Sequence, residues 1–147
     1  QVDISELISE ILFQYEYTHS SINFDIKIDK EFSVKGDNML LSRAICNIID
    51  NAIRHSTENN SITIYATVKN ELIIENEGDL LPDNTEKIFS LWKDCSNNNS
   101  GLFGFGLYIT RRIIEAHNGL VVARPNPNAP GACFVISFPE CTSKATW

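Results

Sequence analysis

The chain is short of positive charge and has no long apolar run. Its 12 Lys and Arg stand against 19 Asp and Glu, for a net charge of −7. That deficit argues against a nucleic-acid binder, which needs a basic stripe to neutralise phosphates. It leaves room for a single nucleotide, which needs only a few donors and a metal. No stretch approaches the ~20 consecutive apolar residues of a membrane span, and no signal peptide opens the chain. The opening Gln1-Val2-Asp3 is expected to be a cut inside a longer protein, which itself could be membrane-anchored. The four cysteines, Cys46, Cys95, Cys133 and Cys141, include no C-x-x-C pair. Cys46 falls in an apolar helical pattern and Cys133 in an apolar strand pattern, so both read as small core residues in a reduced, intracellular protein. The sequons at Asn59 and Asn98 are then chance matches. There is no internal repeat and no sign of a second domain.

What is present fits one compact domain, residues 1–147. Hydrophobic residues make up 43% of the 147 and charged residues 21%, enough for a core and too ordered a composition for disorder. Ile4, Leu7, Ile8, Ile11, Leu12 and Tyr15 predict a helix over residues 3–18. Alternation predicts a strand over 23–29 and a short one over 32–35. Asp37 or Asn38 is expected to cap a long helix with Leu40, Leu41, Ala44, Ile45, Ile48, Ile49, Ala52 and Ile53 on a wide apolar stripe, ending near Ser56. A hairpin is expected from strands 61–69 and 72–75 around an Asn70-Glu71 turn. Residues 76–83 read as irregular, 84–91 as a short helix and 93–106 as a glycine-bearing loop. A helix over 107–117 is expected to end at Asn118-Gly119, before strands over 120–124 and 133–138.

Three weak signals carry chemistry. Asn47, Asn51 and Arg54 or His55 lie at i, i+4 and i+7 or i+8, on one face of the long helix. Carboxamide oxygens are hard ligands suited to Mg²⁺ beside phosphate oxygens, and Arg54 answers phosphate charge; the same spacing also describes the solvated side of an amphipathic helix. Asn76 precedes Gly78 at the end of a strand, where an oxygen would accept from an adenine amino group and the glycine would let the ring approach the backbone. The alternative is an ordinary turn. Gly101, Gly104 and Gly106 lead into a helix, an arrangement that brings backbone N–H groups to phosphates at a positive helix end, or that forms a plain flexible loop. It is neither a Walker A loop nor G-x-G-x-x-G.

In order and spacing together, these segments resemble the catalytic ATP-binding domain of sensor histidine kinases, in the superfamily shared with gyrase, the ninety-kilodalton chaperone and mismatch-repair ATPases. LSRAICNIIDNAIRHS over 41–56 resembles the family's N-box and GFGLYITRRIIEAHNG over 104–119 its G2 box. IFSLW over 88–92 resembles the F-box, and GACFVISFP over 131–139 the terminal strand. The resemblance implies the Bergerat fold: an α+β two-layer sandwich, its mixed, mainly antiparallel sheet covered on one face by about three helices. It implies ATP and Mg²⁺ as cofactors, with Asn51 the main metal ligand and Asn47 beside it. Arg54 and His55 would reach phosphates or ribose, and Asn76 stands where the family has its adenine-reading Asp. Gly78 would open the G1 box, Phe89 the F-box, and residues 93–103, with Lys93 and Gly101, the ATP lid. Gly104, Phe105, Gly106 and Leu107 would line its phosphate-side hinge. Leu102, Phe103 and Phe105 would either touch a dimerisation domain in the full protein or pack on the lid's own base.

The implied partners are a histidine-bearing dimerisation domain of the same receptor and a response-regulator receiver domain, with no nucleic acid. This fragment would be a cytoplasmic monomer and its parent a homodimer. None of His19, His55 and His117 is followed by the acidic residue and Arg-x-Pro step of the acceptor motif, so the chain would bind ATP without phosphorylating itself. Two departures from the family pattern stand out: the G1 box reads NEGDL over 76–80, with Leu80 in place of its second glycine, and the segment to Phe89 is one residue short. They imply modest affinity. The competing functions are a degenerate nucleotide-binding or docking module, and an anti-sigma-factor-type serine kinase of the same fold.

Overall fold

The computed structural model describes residues 1–28, 32–56, 61–90 and 104–139. Helix α1 (Ile4–Thr18) follows a two-residue strand, β1 (Val2–Asp3), and is capped by Asp3, whose carboxylate accepts from the Glu6 N–H at 3.2 Å. Strand β2 (Asn23–Lys27) and the short β3 (Ser33–Val34) come next, β3 pairing antiparallel with β1. Asp37 caps the long helix α2 (Asn38–His55), accepting from the Leu40 N–H at 3.0 Å. Of its expected stripe, Leu41, Ala44, Ile45, Ile48, Ile49 and Ala52 are fully buried, whereas Ile53 is half-buried and Leu40 is exposed, so the buried stripe is narrower than expected; the Ser56 hydroxyl ends the helix on the Ile53 carbonyl.

Strands β4 (Ser61–Ala66) and β5 (Glu71–Glu77) form the expected antiparallel hairpin, with Asn70 in the left-handed region at φ 58°. A 3-10 turn spans Thr85–Phe89, then helix α3 (Gly104–Ala116) and strands β6 (Leu120–Pro125) and β7 (Gly131–Ser137) complete the fold. The main sheet runs β2-β4-β5-β7-β6, antiparallel except for the parallel β2–β4 pair. Period-two alternation sends Ile62, Ile64, Leu72, Ile74, Phe134 and Ile136 to the face that packs on the helices, where they join one core with the apolar stripes of α1 and α2. This is the expected two-layer α+β sandwich.

The differences are local. Helix α3 starts at Gly104, so part of the expected glycine loop is its first turn. The short helix after residue 84 takes 3-10 geometry under an Asn84 cap. Strand β5 runs on through Asn76 to Glu77 because Asn76 pairs with Ile62 on one side and Ala132 on the other, so the irregular segment starts later than expected. β4 stops at Ala66, where the turn toward Asn70 takes over.

His117 locks the two long elements to each other. Asn118, at φ 61°, ends α3, with the Gly119 N–H reaching back to the Ile114 carbonyl at 2.9 Å. The His117 ring donates from Nδ1 to the Ile113 carbonyl at 2.7 Å, and its Nε2 accepts the Asp37 N–H at 3.1 Å. A ring that accepts at Nε2 is neutral, so it braces the cap of α2 rather than adding positive charge to the end of α3. Gly36 makes room for it: a Cβ there would lie 2.1 Å from the ring's Cδ2. Gly36→Ala is therefore expected to cost about 1–3 kcal/mol in chemical denaturation, because the ring must leave both bonds. The same substitution in a His117→Ala background is expected to be nearly neutral, a coupling that a double-mutant cycle reads directly.

Candidate nucleotide site

The apolar stripe of α2 fixes the rotation of the helix, so residues on its opposite edge have a set direction. Asn47, Asn51 and His55 fall on that edge and are all partly buried. Asn51 and His55 line a cavity of about 170 Å³ together with Asp79, Leu80, Leu81, Pro82, Ile88, Leu107 and Ala132. That is less than the roughly 300–1,000 Å³ of sites that enclose a drug-sized ligand, so it accommodates part of a nucleotide. The expected lid, residues 93–103 with Lys93, Gly101, Leu102 and Phe103, lies outside the described residues.

Asn47 sits one turn before Asn51 and donates from Nδ2 to the Gly106 carbonyl at 3.1 Å. Its Oδ1 is the atom left to act as a ligand. Thr110 reaches the same Gly106 carbonyl at 2.9 Å and the Ala44 carbonyl at 3.3 Å, so the first turn of α3 is held against α2. The positive end of the α3 dipole therefore lies beside the two carboxamides. Phe105 on that turn is 55% exposed.

The other wall forms where α2 meets the end of β5. The His55 ring Nδ1 pairs with the Asp79 carboxylate at 3.0 Å, and the His55 carbonyl accepts the Asp79 N–H at 3.0 Å. Ser56 and Gly78 form an isolated antiparallel bridge, and the Gly78 N–H donates to the Pro130 carbonyl at 2.8 Å. Gly78 has φ 155°, and a Cβ on it would lie 1.8 Å from the His55 carbonyl oxygen. The expectation was that this glycine lets a ligand ring approach the backbone. Instead the space is taken by the protein's own backbone at the end of α2.

Asn76 lies in β5 between Ile62 and Ala132, on the helix-covered face, and is 1% exposed. Among the described residues, neither its Oδ1 nor its Nδ2 has a hydrogen-bond partner. Its main-chain carbonyl is satisfied by the Asn126 amide at 3.0 Å. Cross-strand partners share a face, so its side chain stands next to that of Ala132, which lines the cavity.

Two expected site residues sit elsewhere. Phe89 is buried in the core, edge-on to Phe134 with ring centroids 6.2 Å apart and beneath the Arg111 guanidinium at 4.3 Å. Arg54 is exposed and does not line the cavity; partial burial draws its pKa below the ordinary guanidinium value, against the opposing charge of Asp50. Sequence reasoning missed Asp79, Leu81, Pro82, Ile88 and Ala132 as cavity walls, and Thr110 as the tether of α3. The i+4 spacing of Thr110 from Gly106 was the one local signal available. No cluster of three His, Cys, Asp or Glu among the described residues could cage a metal, so any cation here depends on carboxamide, phosphate and water oxygens. Asn51 in the cavity, with Asn47 one helical turn before it, fits that donor chemistry.

A mixed five-stranded sheet under three helices, with a cavity between the polar edge of α2 and the sheet's end, is the architecture of one class of ATPase domain. The chain belongs to the histidine kinase-, DNA gyrase B- and HSP90-like ATPase family, whose profile matches residues 36–142. It is 31% identical over 151 aligned residues to the heme sensor protein HssS of Staphylococcus haemolyticus, covering 95% of this chain and 31% of HssS. It is 32% identical over 120 residues to the sensor histidine kinase CusS of Escherichia coli O157:H7, covering 77% of this chain and 24% of CusS. The chain thus spans a third or less of these two relatives. Among solved structures, the mycobacterial sensor histidine kinase MprB superposes with a TM-score of 0.80 at 25% identity, covering 95% of this chain and 97% of that one.

Replacing Gly78 tests the wall directly. Gly78→Ala is expected to cost about 2–4 kcal/mol in urea denaturation, because the atoms nearest the new methyl group are the His55–Ser56 backbone, which cannot rotate away as a side chain could.

Proposed function

We propose that this chain is the catalytic ATP-binding domain of a sensor histidine kinase. In the whole receptor it would pass the γ-phosphoryl of Mg·ATP to a histidine on a separate dimerisation domain, for relay to a response-regulator receiver domain. The observation that carries this reading is the placement of Asn51 inside the cavity with Asn47 tied to the root of α3. Family membership and the sensor-kinase relatives support it. In this reading Oδ1 of Asn51, assisted by Asn47, holds Mg²⁺, and Gly104, Gly106 and Leu107 present the α3 N-terminus to the phosphates. The base enters beside Asn76, and His55 is held toward the site by Asp79. Bound with ATP, Mg²⁺ would offset charge on the phosphate oxygens; the protein's own share is positioning and electrostatics. Phe105 would meet the dimerisation domain. The domain would work in the cytoplasm as part of a dimeric receptor; among the described residues no helix is long and apolar enough to cross a membrane.

In this reading the acceptor lies on the dimerisation domain, since none of His19, His55 and His117 stands in the acceptor motif; His117 has both ring nitrogens engaged, and His55 pairs with Asp79. A second reading, a docking module without catalysis, draws on Asn76 and Leu80 in place of the family's Asp and Gly.

Calorimetry separates the two. Saturable Mg·ATP binding is expected, weakened about tenfold or more by Asn51→Ala and by chelating Mg²⁺. Unchanged affinity in Asn51→Ala would remove the metal assignment. No heat at millimolar nucleotide would favour the docking module.

A further inference from the structure

Among the described residues, the buried carboxamide of Asn76 has no hydrogen-bond partner at either end. Its two neighbours across the sheet on the same face, Ile62 and Ala132, offer no polar group. Leaving a buried donor and acceptor unmade is costly, which marks them as reserved for something that enters. An amide differs from a carboxylate in one decisive respect: it carries a donor and an acceptor of nearly the same size and shape, related by a half-turn of the terminal torsion. With neither atom bonded, nothing in the described fold selects one orientation.

A purine presents two adjacent groups on its pairing edge. A 6-aminopurine offers an amino donor at N6 and an acceptor at N1. A 6-oxopurine offers an acceptor at O6 and a donor at N1–H. The amide matches the first with Oδ1 toward N6 and Nδ2 toward N1, and the second after the half-turn. A carboxylate has acceptors only; it takes N6–H and opposes O6 in the same pose.

Resting on the reading that this cavity takes a nucleotide, we propose that Asn76 makes the site tolerant of the purine 6-position, so that it accepts 6-oxopurine triphosphates alongside ATP. Asn76 is then the specificity-determining residue, and a carboxylate at this position would restore preference for the amino purine.

The test compares Mg·ATP with Mg·ITP on the 147-residue chain. The two ligands differ only at position 6 and in the N1 proton. Wild-type affinities are expected within about threefold of each other, whereas a fixed pair of hydrogen bonds discriminates by about tenfold or more. Asn76→Asp is expected to shift the ratio about tenfold or more toward ATP. Asn76→Ala should weaken both nucleotides and leave their ratio near one. A wild-type preference for ATP of about a hundredfold overturns the proposal, as does an Asn76→Asp variant that melts as a folded protein yet keeps the wild-type ratio. If Asn76→Asp does not fold, the wild-type and Asn76→Ala ratios decide. Tight ATP binding with strong rejection of ITP sinks this inference alone; binding of neither nucleotide sinks the functional reading as well.

Discussion

The site depends on how closely the end of α2 can approach the end of β5. A helix that packs an unbroken apolar stripe into the core has its rotation fixed, and with it the direction of every residue on its polar edge. Its remaining freedom is at the terminus. There the His55 carbonyl comes so near Gly78 that any side chain at residue 78 would overlap it. The closure is sealed by the Asp79 N–H on the His55 carbonyl, the Ser56–Gly78 bridge and the Gly78 N–H on Pro130. One glycine thus brings a helix end, a strand end and the 126–130 loop to a single point. The cavity lies beside that junction, and Asn51 faces it one turn before His55.

The sequence carried the elements whose signal is local. The 3.6-residue stripe of α2 and the alternation of β4 and β5 are properties of a few adjacent side chains, and the structure realises them. So are the caps at Asp37 and Asn118, each a matter of one short polar residue and its nearest amides. What stayed hidden depends on residues far apart in the chain. Strand β5 continues through Asn76 because Ile62 and Ala132 pair with it, and no window of sequence around residue 76 contains either. Helix α3 already includes Gly104 and Gly106, and the Asn47 amide that holds the Gly106 carbonyl comes from a distant part of the chain. The cavity walls Leu81, Pro82 and Ile88 come from a stretch with no periodicity at all. The i+4 carboxamides were legible as a direction on a helix; that the direction meets a cavity is a tertiary fact.

Glu75 and Asn76 show how the sheet separates structure from site. They are adjacent, both buried and polar, and strand geometry sends them to opposite faces. On the face away from the helices, Glu75 accepts from the Tyr65 hydroxyl at 2.8 Å and lies 3.8 Å from the Cys133 sulfur. Burial, followed by that bond, pushes the Tyr65 pKa up to about 12, so the phenol stays protonated and keeps donating. The carboxylate's burial is thereby compensated within the protein. Asn76, one residue on, has no such compensation among the described residues.

That contrast bears on why the neutral residue is tolerated. An unpartnered carboxylate buried beside Ile62 and Ala132 would carry a desolvation penalty far larger than that of an amide, and no cation among its cross-strand neighbours would offset it. An amide in the same place costs only its unmade hydrogen bonds, about 1–3 kcal/mol per group, and any ligand that makes them returns that energy on binding. The fold can therefore hold Asn76 empty at modest cost, while the strength of what binds there is limited to neutral hydrogen bonds rather than charge-assisted ones. On the proposed reading, weaker base recognition and a broader choice of base would follow together from having an amide here, because both come from exchanging a fixed charge for a reversible dipole.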